Sequence, residues 1–193
     1  MFMSNITNKL LILANSSKTV FSTTDLSLMW KTKDKKSLNV IIHRAKNKGY
    51  LKTIKRGIYR LNEKKINIFE LACKMKKNSY ISFESVLTQT NVINQWHDEI
   101  ILASDRNLSI KNEYGKFIYK KLPETILANR LGVIKKDEYF FACAERALCD
   151  KIYKSGLTYF DDLTSINKEL ILDISKIYNK RVIRDIKKLL NIK

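Results

Sequence analysis

The stretch TKDKKSLNVIIHRAKNKGYLKTIKRGIYRL, residues 32–61, decides the fold of the N-terminal part of this chain. In its first half, apolar residues recur at intervals of three and four, which places them along one side of an α-helix. They are Leu38, Ile41, Ile42 and Ala45. The polar residues between them fall on the opposite side; they are Lys35, Lys36, Asn39, His43 and Lys46. The pattern predicts a helix of about four turns with one apolar and one basic, hydrogen-bonding face.

A glycine and a basic hairpin follow this predicted helix. Gly49 comes after Lys48, where a glycine in the left-handed conformation commonly ends a helix. The runs Tyr50–Ile54 and Ile58–Leu61 are rich in β-prone residues, and residues 55–57 (Lys-Arg-Gly) join them as a turn. A helix followed by such a hairpin is typical of the second half of a winged helix-turn-helix.

Two further helices are predicted before this stretch. They cover Ile6–Ala14 and Thr23–Met29, and the second has Ser22 as its N-cap and Asp25 in its first turn. Three short helices and two strands in this order are the layout of a winged helix-turn-helix. The sequence therefore predicts such a domain, for DNA binding, over residues 1–62.

The remaining residues, 63–193, alternate between helix-like and strand-like runs. Strands are predicted at Glu99–Ser104, Gly115–Leu122 and Asp137–Ala144. Helices are predicted at Ser82–Leu87, Glu145–Tyr153 and Asn167–Ile192, the last in two pieces that meet near Asn179. The predicted fold class is therefore α+β, with an N-terminal winged helix-turn-helix domain followed by a mixed α+β C-terminal domain.

The chain is strongly basic, with a formal net charge of +18 at pH 7, and the excess is uneven. Residues 1–62 contain ten lysines and three arginines against two aspartates, an excess of eleven. The other 131 residues contain 24 basic and 17 acidic groups, an excess of seven. Concentrated positive charge indicates a polyanionic partner, here double-stranded DNA. The alternative is that a compositional bias toward lysine makes the surface basic although no partner binds to it.

Composition argues against several other classes. Three cysteines without a CxxC pair favour a reducing cytoplasm over a disulfide framework, and two histidines do not form a metal-binding pattern. No stretch approaches the roughly 18 apolar residues of a membrane helix, and no basic region precedes the short apolar run near the N-terminus. We expect a cytoplasmic protein with no membrane association, cofactor or bound metal.

The acidic residues show no spacing diagnostic of catalysis. A metal-dependent nuclease needs several carboxylates to converge on Mg²⁺, and the acids here are scattered. Only five glycines are present, and they form no phosphate-binding loop. Glu145 and Asp150 lie about 140° apart on one predicted helix, so we expect structural roles, with Asp150 paired to a neighbouring basic group. We predict that the protein is not an enzyme, with a DNA nuclease as a weaker alternative.

On a duplex, the third predicted helix would enter the major groove and the hairpin would lie against the backbone or minor groove. Asn39 is the candidate for reading a base, because an amide can donate a hydrogen bond to an adenine edge and accept one from it. His43 is a candidate for contact with a base or a phosphate. Lys55 and Arg56 lie at the hairpin tip, where Arg56 suits a narrow minor groove. The remaining candidates contact phosphates; they are Thr32, Lys33, Lys35, Lys36, Ser37, Arg44 and Lys46. The alternative is that these lysines only form a solvent-exposed face and contact no DNA.

Four segments in this order resemble the AbiEi-type antitoxins of bacterial type IV, or abortive-infection, toxin–antitoxin systems. They are RGIYRL, YISFESVL, EIILAS followed by Arg106, and ACAERALCDKIY, which begin at residues 56, 80, 99 and 142. The last is similar to the family's stretch A-x-P/x-E-[KR]-A-L-x-D-x-x-Y and matches it at Glu145, Ala147, Leu148, Asp150 and Tyr153. The chain departs from the family at Cys143-Ala144, where many members carry a proline before the glutamate.

The resemblance implies a phage-defence protein with two roles. Its N-terminal winged helix would repress its own operon, and its C-terminal domain would counter a nucleotidyltransferase-like toxin. Composition and spacing support only the first role. We therefore predict an antitoxin and DNA-binding autorepressor whose partners are an operator with inverted repeats and, functionally, a cognate toxin. A winged-helix regulator with a ligand-sensing C-terminal domain is the alternative.

Overall fold

A computed structural model describes residues 3–192 as a mixed α+β protein with two sheets. Its first compact unit ends at Met75, and the second begins at Lys76. The first contains α1 (Met3–Ala14), β1 (Phe21–Ser22), α2 (Thr23–Met29), α3 (Lys35–Asn47), β2 (Leu51–Lys55), β3 (Ile58–Leu61) and α4 (Ile68–Met75). Within the described range, no helix combines the length and apolar character needed to cross a membrane.

The second unit begins with β4 (Tyr80–Ile81), α5 (Glu84–Leu87), β5 (Glu99–Ser104), β6 (Leu108–Asn112), β7 (Gly115–Lys121) and α6 (Glu124–Ala128). It continues with β8 (Val133–Lys136), β9 (Tyr139–Ala142), α7 (Ala144–Ser155), α8 (Lys168–Ser175) and α9 (Lys180–Leu189). The predicted break at Asn179 is confirmed, because the side chain of Asn179 caps α9. Strands β4, β6 and β8 and helix α6 were not predicted from the sequence.

The small sheet of the first unit is antiparallel, with strand order β1-β3-β2. Ser22 forms the predicted N-cap of α2. Its hydroxyl accepts the N–H of Asp25 at 3.1 Å, and the Asp25 carboxylate accepts the N–H of Ser22 at 2.8 Å. The carbonyl of Gly57 accepts the N–H of Thr23 at 3.0 Å. These bonds hold the turn of the β2–β3 hairpin against the beginning of α2.

The apolar side of α3 lies in the core of the first unit, as its spacing predicts. Leu38, Ile42 and Ala45 are buried and Ile41 packs against them. Trp30 joins this core, and its indole N–H donates to the carbonyl of Lys9 at 2.9 Å. Because burial of this face fixes the rotation of α3 about its axis, it also determines which side chains of the helix face solvent.

Helix α4 belongs to the first unit, so this unit extends beyond residue 62, which the sequence predicts as the end of the N-terminal domain. The buried carboxylate of Glu70 accepts the N–H and the hydroxyl of Thr19, at 2.8 and 2.6 Å. Lys74 forms an ion pair with Asp25 at 2.9 Å. These long-range contacts attach α4 to the elements that precede it in the chain.

The sheet of the second unit has the strand order β6-β7-β5-β4-β9-β8. Neighbours pair antiparallel except β5 with β7 and β4 with β9, which are parallel.

Cys143 caps α7, because its sulfur accepts the backbone N–H of Arg146 at 3.4 Å. Burial raises the pKa of this thiol to about 12. The neutral sulfur thus caps the beginning of this helix.

A buried polar network joins α7 to β4 and to the segment before α9. Asp150 accepts hydrogen bonds from the hydroxyls of Tyr80, Ser82 and Tyr178 at 3.0, 2.7 and 2.5 Å. The Arg146 guanidinium lies 3.7 Å from the same carboxylate, and both side chains are fully buried. It also donates to the carbonyls of Ile126 and Leu131. This confirms the predicted pairing of Asp150 with a neighbouring basic group.

We expect Gly132→Ala to destabilise the second unit by about 2–4 kcal/mol. A Cβ at Gly132 would lie 2.7 Å from Ile174 and 3.0 Å from both Arg146 and Cys143, and φ there is +75°. Overpacking costs about 1–3 kcal/mol, and a left-handed backbone at a residue other than glycine costs about 1–2 kcal/mol. Gly49→Ala is the matched control, because Gly49 has the same φ but open space around it. Urea unfolding should show a clearly larger loss at Gly132, and equal losses would contradict the packing argument.

Candidate nucleic-acid interface

The start of α3 is fixed by a charged N-cap. The carboxylate of Asp34 accepts the backbone N–H of Ser37 at 2.7 Å, and this bond lowers the pKa of Asp34. The helix then runs for 13 residues, which corresponds to about 20 Å. Since its inner side is buried, the predicted polar side faces solvent along its whole length.

Nearly all side chains predicted to contact DNA are exposed. The exposed candidates are Lys33, Lys35, Lys36, Ser37, Asn39, His43, Arg44, Lys46, Lys55 and Arg56. Thr32 is the exception, because it is half-buried and its hydroxyl donates to the carbonyl of Trp30 at 3.1 Å. Thr32 therefore shapes the turn before α3 and has its hydroxyl proton already engaged. The rest lie on one face of α3, just before it, or at the hairpin turn of the same unit.

Little negative charge in the first unit offsets this basic surface. Of the two aspartates before residue 62, Asp25 is half-buried and forms ion pairs with Lys18 and Lys74, at 3.0 and 2.9 Å. Asp34 is exposed but holds the N-terminus of α3. Because Asp25 is neutralised locally and Glu70 is buried, Asp34 and Glu63 are the exposed carboxylates of the first unit that oppose the positive potential of α3 and the hairpin tip.

Val40 is an exposed residue of α3 that was not among the sequence-based candidates. Val40 has 48% of its surface exposed, on the polar side of the helix. The sequence did contain the signal, because Val40 falls outside the apolar spacing of Leu38, Ile42 and Ala45. A hydrophobic residue on an otherwise polar face lacks the hydrogen-bonding chemistry by which the other candidates were chosen.

The second unit contains a cleft of about 520 Å³. Its polar lining includes Glu84, His97, Lys151, Tyr159 and Asp161. The Glu84 carboxylate forms ion pairs with Lys151 and Lys120; burial opposes its ionisation, yet these cations lower its pKa to about 2. Phe83, fully buried just before Glu84, has φ of +56°, a strained conformation for an aromatic residue. In residues 3–192, no three His, Cys, Asp or Glu side chains are grouped to hold a metal ion.

Comparison with known proteins shows a shared fold. The crystal structure of the RV2827C protein from Mycobacterium tuberculosis matches 97% of this chain and 76% of its own, with a TM-score of 0.55. No family model matches the sequence, and no curated protein matches it. Because the sequence identity to the mycobacterial protein is 12%, the likeness concerns the fold alone, over nearly the whole chain.

Proposed function

We propose that this protein binds double-stranded DNA through α3 and the β2–β3 hairpin, which act as a winged helix-turn-helix, and represses transcription of its own operon. The observation that carries the proposal is the arrangement of α3. Its apolar side is buried, while its cationic and amide side chains and the two basic residues of the hairpin turn are exposed. The element order, three helices with a hairpin after the third, is also that of a winged helix.

The dimensions and charges of these elements suit a duplex. The major groove is about 12 Å wide and admits one α-helix, and α3 presents amide, imidazole and cationic groups from its free side. Exposed lysines and arginines that neutralise phosphates supply most of the binding energy and set the register. Arg56 and Lys55 at the hairpin turn extend the contact beyond the groove occupied by α3.

We further propose that the protein is the antitoxin of a type IV system and that its second unit counters a nucleotidyltransferase-like toxin. The support is the resemblance to AbiEi-type antitoxins. Two of the matched positions, Glu145 and Asp150, are buried on α7, where Glu145 accepts the N–H of Asn167 and Asp150 accepts three hydroxyls. The matched residues thus hold this unit together, which is consistent with a shared domain.

The DNA-binding proposal is tested with the fragment upstream of the protein's own coding sequence. We expect purified protein to shift this fragment at a concentration at least tenfold lower than a shuffled fragment of the same composition. An operator with inverted repeats would show two successive shifted species. Equal affinity for both fragments would contradict sequence-specific repression and would indicate only non-specific binding through the basic surface.

A regulator whose second unit senses a small ligand is the second candidate, and the cleft lined by Glu84, His97 and Lys151 favours it. Co-expression with the neighbouring gene separates the two functions. Rescue of cells from the toxicity of that gene's product is expected only of an antitoxin. If the neighbouring gene is harmless, the ligand-sensing function is favoured.

A further inference from the structure

We propose that Val40 recognises the C5 methyl group of a thymine in the major groove and so sets part of the operator sequence. This inference rests on the DNA binding proposed above and assigns a specificity role to a residue of that surface. It concerns direct contact with one base, whereas the lysines and arginines around Val40 serve mainly to bind phosphates.

The position of Val40 on α3 is the first argument. At 100° per residue, Val40 lies about 160° around the helix axis from both Leu38 and Ile42, which are buried. It therefore lies near the middle of the outward face. Lys36 precedes it by one turn and His43 follows by nearly one turn, and both are exposed. If α3 enters a groove with its free side first, Val40 is among the residues that approach the base edges most closely.

The chemistry of the side chain is the second argument. Valine neither donates nor accepts a hydrogen bond, so it cannot read the polar pattern of a base pair. The apolar group that the major groove offers is the thymine methyl, which distinguishes T·A from the other base pairs. The β-branched side chain is also stiff, with one strongly preferred rotamer in a helix, so little conformational entropy is lost on contact.

The size of the effect follows from the buried area. Burial of one methyl or methylene group contributes about 0.8 kcal/mol, which corresponds to about a fourfold change in affinity. Removal of the thymine methyl and truncation of Val40 should each cost about this factor. Because both changes delete the same contact, their effects should not add.

The test uses duplexes that the full-length protein selects from a random pool. Each thymine of the selected site is replaced singly by deoxyuridine, which removes only the methyl group. We expect the wild-type protein to lose about fourfold in affinity at one thymine per half-site. Val40→Ala should bind the thymine and uracil forms of that position equally. Alanine is the best helix former and Val40 is exposed, so this variant keeps its fold.

Ile134→Ala is the matched control, because Ile134 is similarly exposed, at 53%, on β8 of the second unit. It should keep the wild-type discrimination between thymine and uracil. The proposal is overturned if the wild-type protein tolerates uracil at every position, or if Val40→Ala still discriminates. Selection that enriches no sequence would overturn the DNA-binding proposal itself, which makes the two failures distinguishable.

Discussion

Asp150→Ala is expected to remove a large part of the stability of the second unit. The substitution deletes the acceptor of three buried hydroxyl groups, from Tyr80, Ser82 and Tyr178. It also leaves the Arg146 guanidinium buried without its ion-pair partner. An uncompensated buried charge costs about 3–5 kcal/mol, and a small domain has only about 5–15 kcal/mol in total. We therefore expect a large decrease in the midpoint of urea unfolding, measured by far-UV circular dichroism.

A surface ion pair of the same unit provides the control. Lys176 contacts Asp173 at 2.7 Å, with both side chains more than half exposed. Such pairs contribute about 0–1 kcal/mol, so Lys176→Ala should leave the urea midpoint nearly unchanged. Asp150→Asn, which keeps acceptor oxygen but loses the charge, should fall between the two. A midpoint for Asp150→Ala close to that of Lys176→Ala would show that the network is not important for stability.

The triple substitution Lys36→Ala, Asn39→Ala and Arg56→Ala is expected to abolish repression of the operon. It removes one proposed phosphate-binding cation of α3, the proposed base-reading amide and one of the two cations at the hairpin tip. At about 1 kcal/mol or more for each contact, affinity for the upstream DNA should fall at least about a hundredfold. All three residues are exposed, so the free energy of unfolding should be unchanged. Fluorescence anisotropy and a promoter-fusion reporter measure the two effects.

The same triple variant should still protect cells from the toxin, because we propose that the second unit, which begins at Lys76, carries the antitoxin activity. Lys187→Ala with Lys188→Ala is the control, since it removes two exposed cations from α9 of the second unit. This control should repress normally. If the triple variant also fails to protect cells while remaining folded, the division of the protein into a repressing and a protecting part is wrong.

Elements with strong local signals were predictable from the sequence. Helix α2 begins after Ser22, whose capping partner Asp25 is three residues away, and α3 shows an unbroken apolar spacing. Both signals lie within a few residues and need no tertiary information. For the same reason the outward face of α3, and with it nearly the whole candidate interface, followed from the spacing alone.

Features that depend on distant partners were not predictable. Strands β6 and β8 form the two edges of their sheet, pair on one side only, and are only five and four residues long. The hydroxyl partners of Asp150 lie 70, 68 and 28 residues away along the chain. The sequence indicated that Asp150 would pair with a basic side chain, but only the fold brings Tyr80, Ser82 and Tyr178 to it.

The salt dependence of binding to the upstream DNA tests the central claim most directly. Each phosphate neutralised contributes about 0.9 to the slope of log affinity against log salt concentration. Five to seven cations of α3, the turn before it and the hairpin should therefore give a slope of about −4.5 to −6.3. The triple variant lacks two of these cations and should have a slope shallower by about 2. A slope near zero for the wild-type protein, or the same slope for both proteins, would contradict DNA binding by this surface.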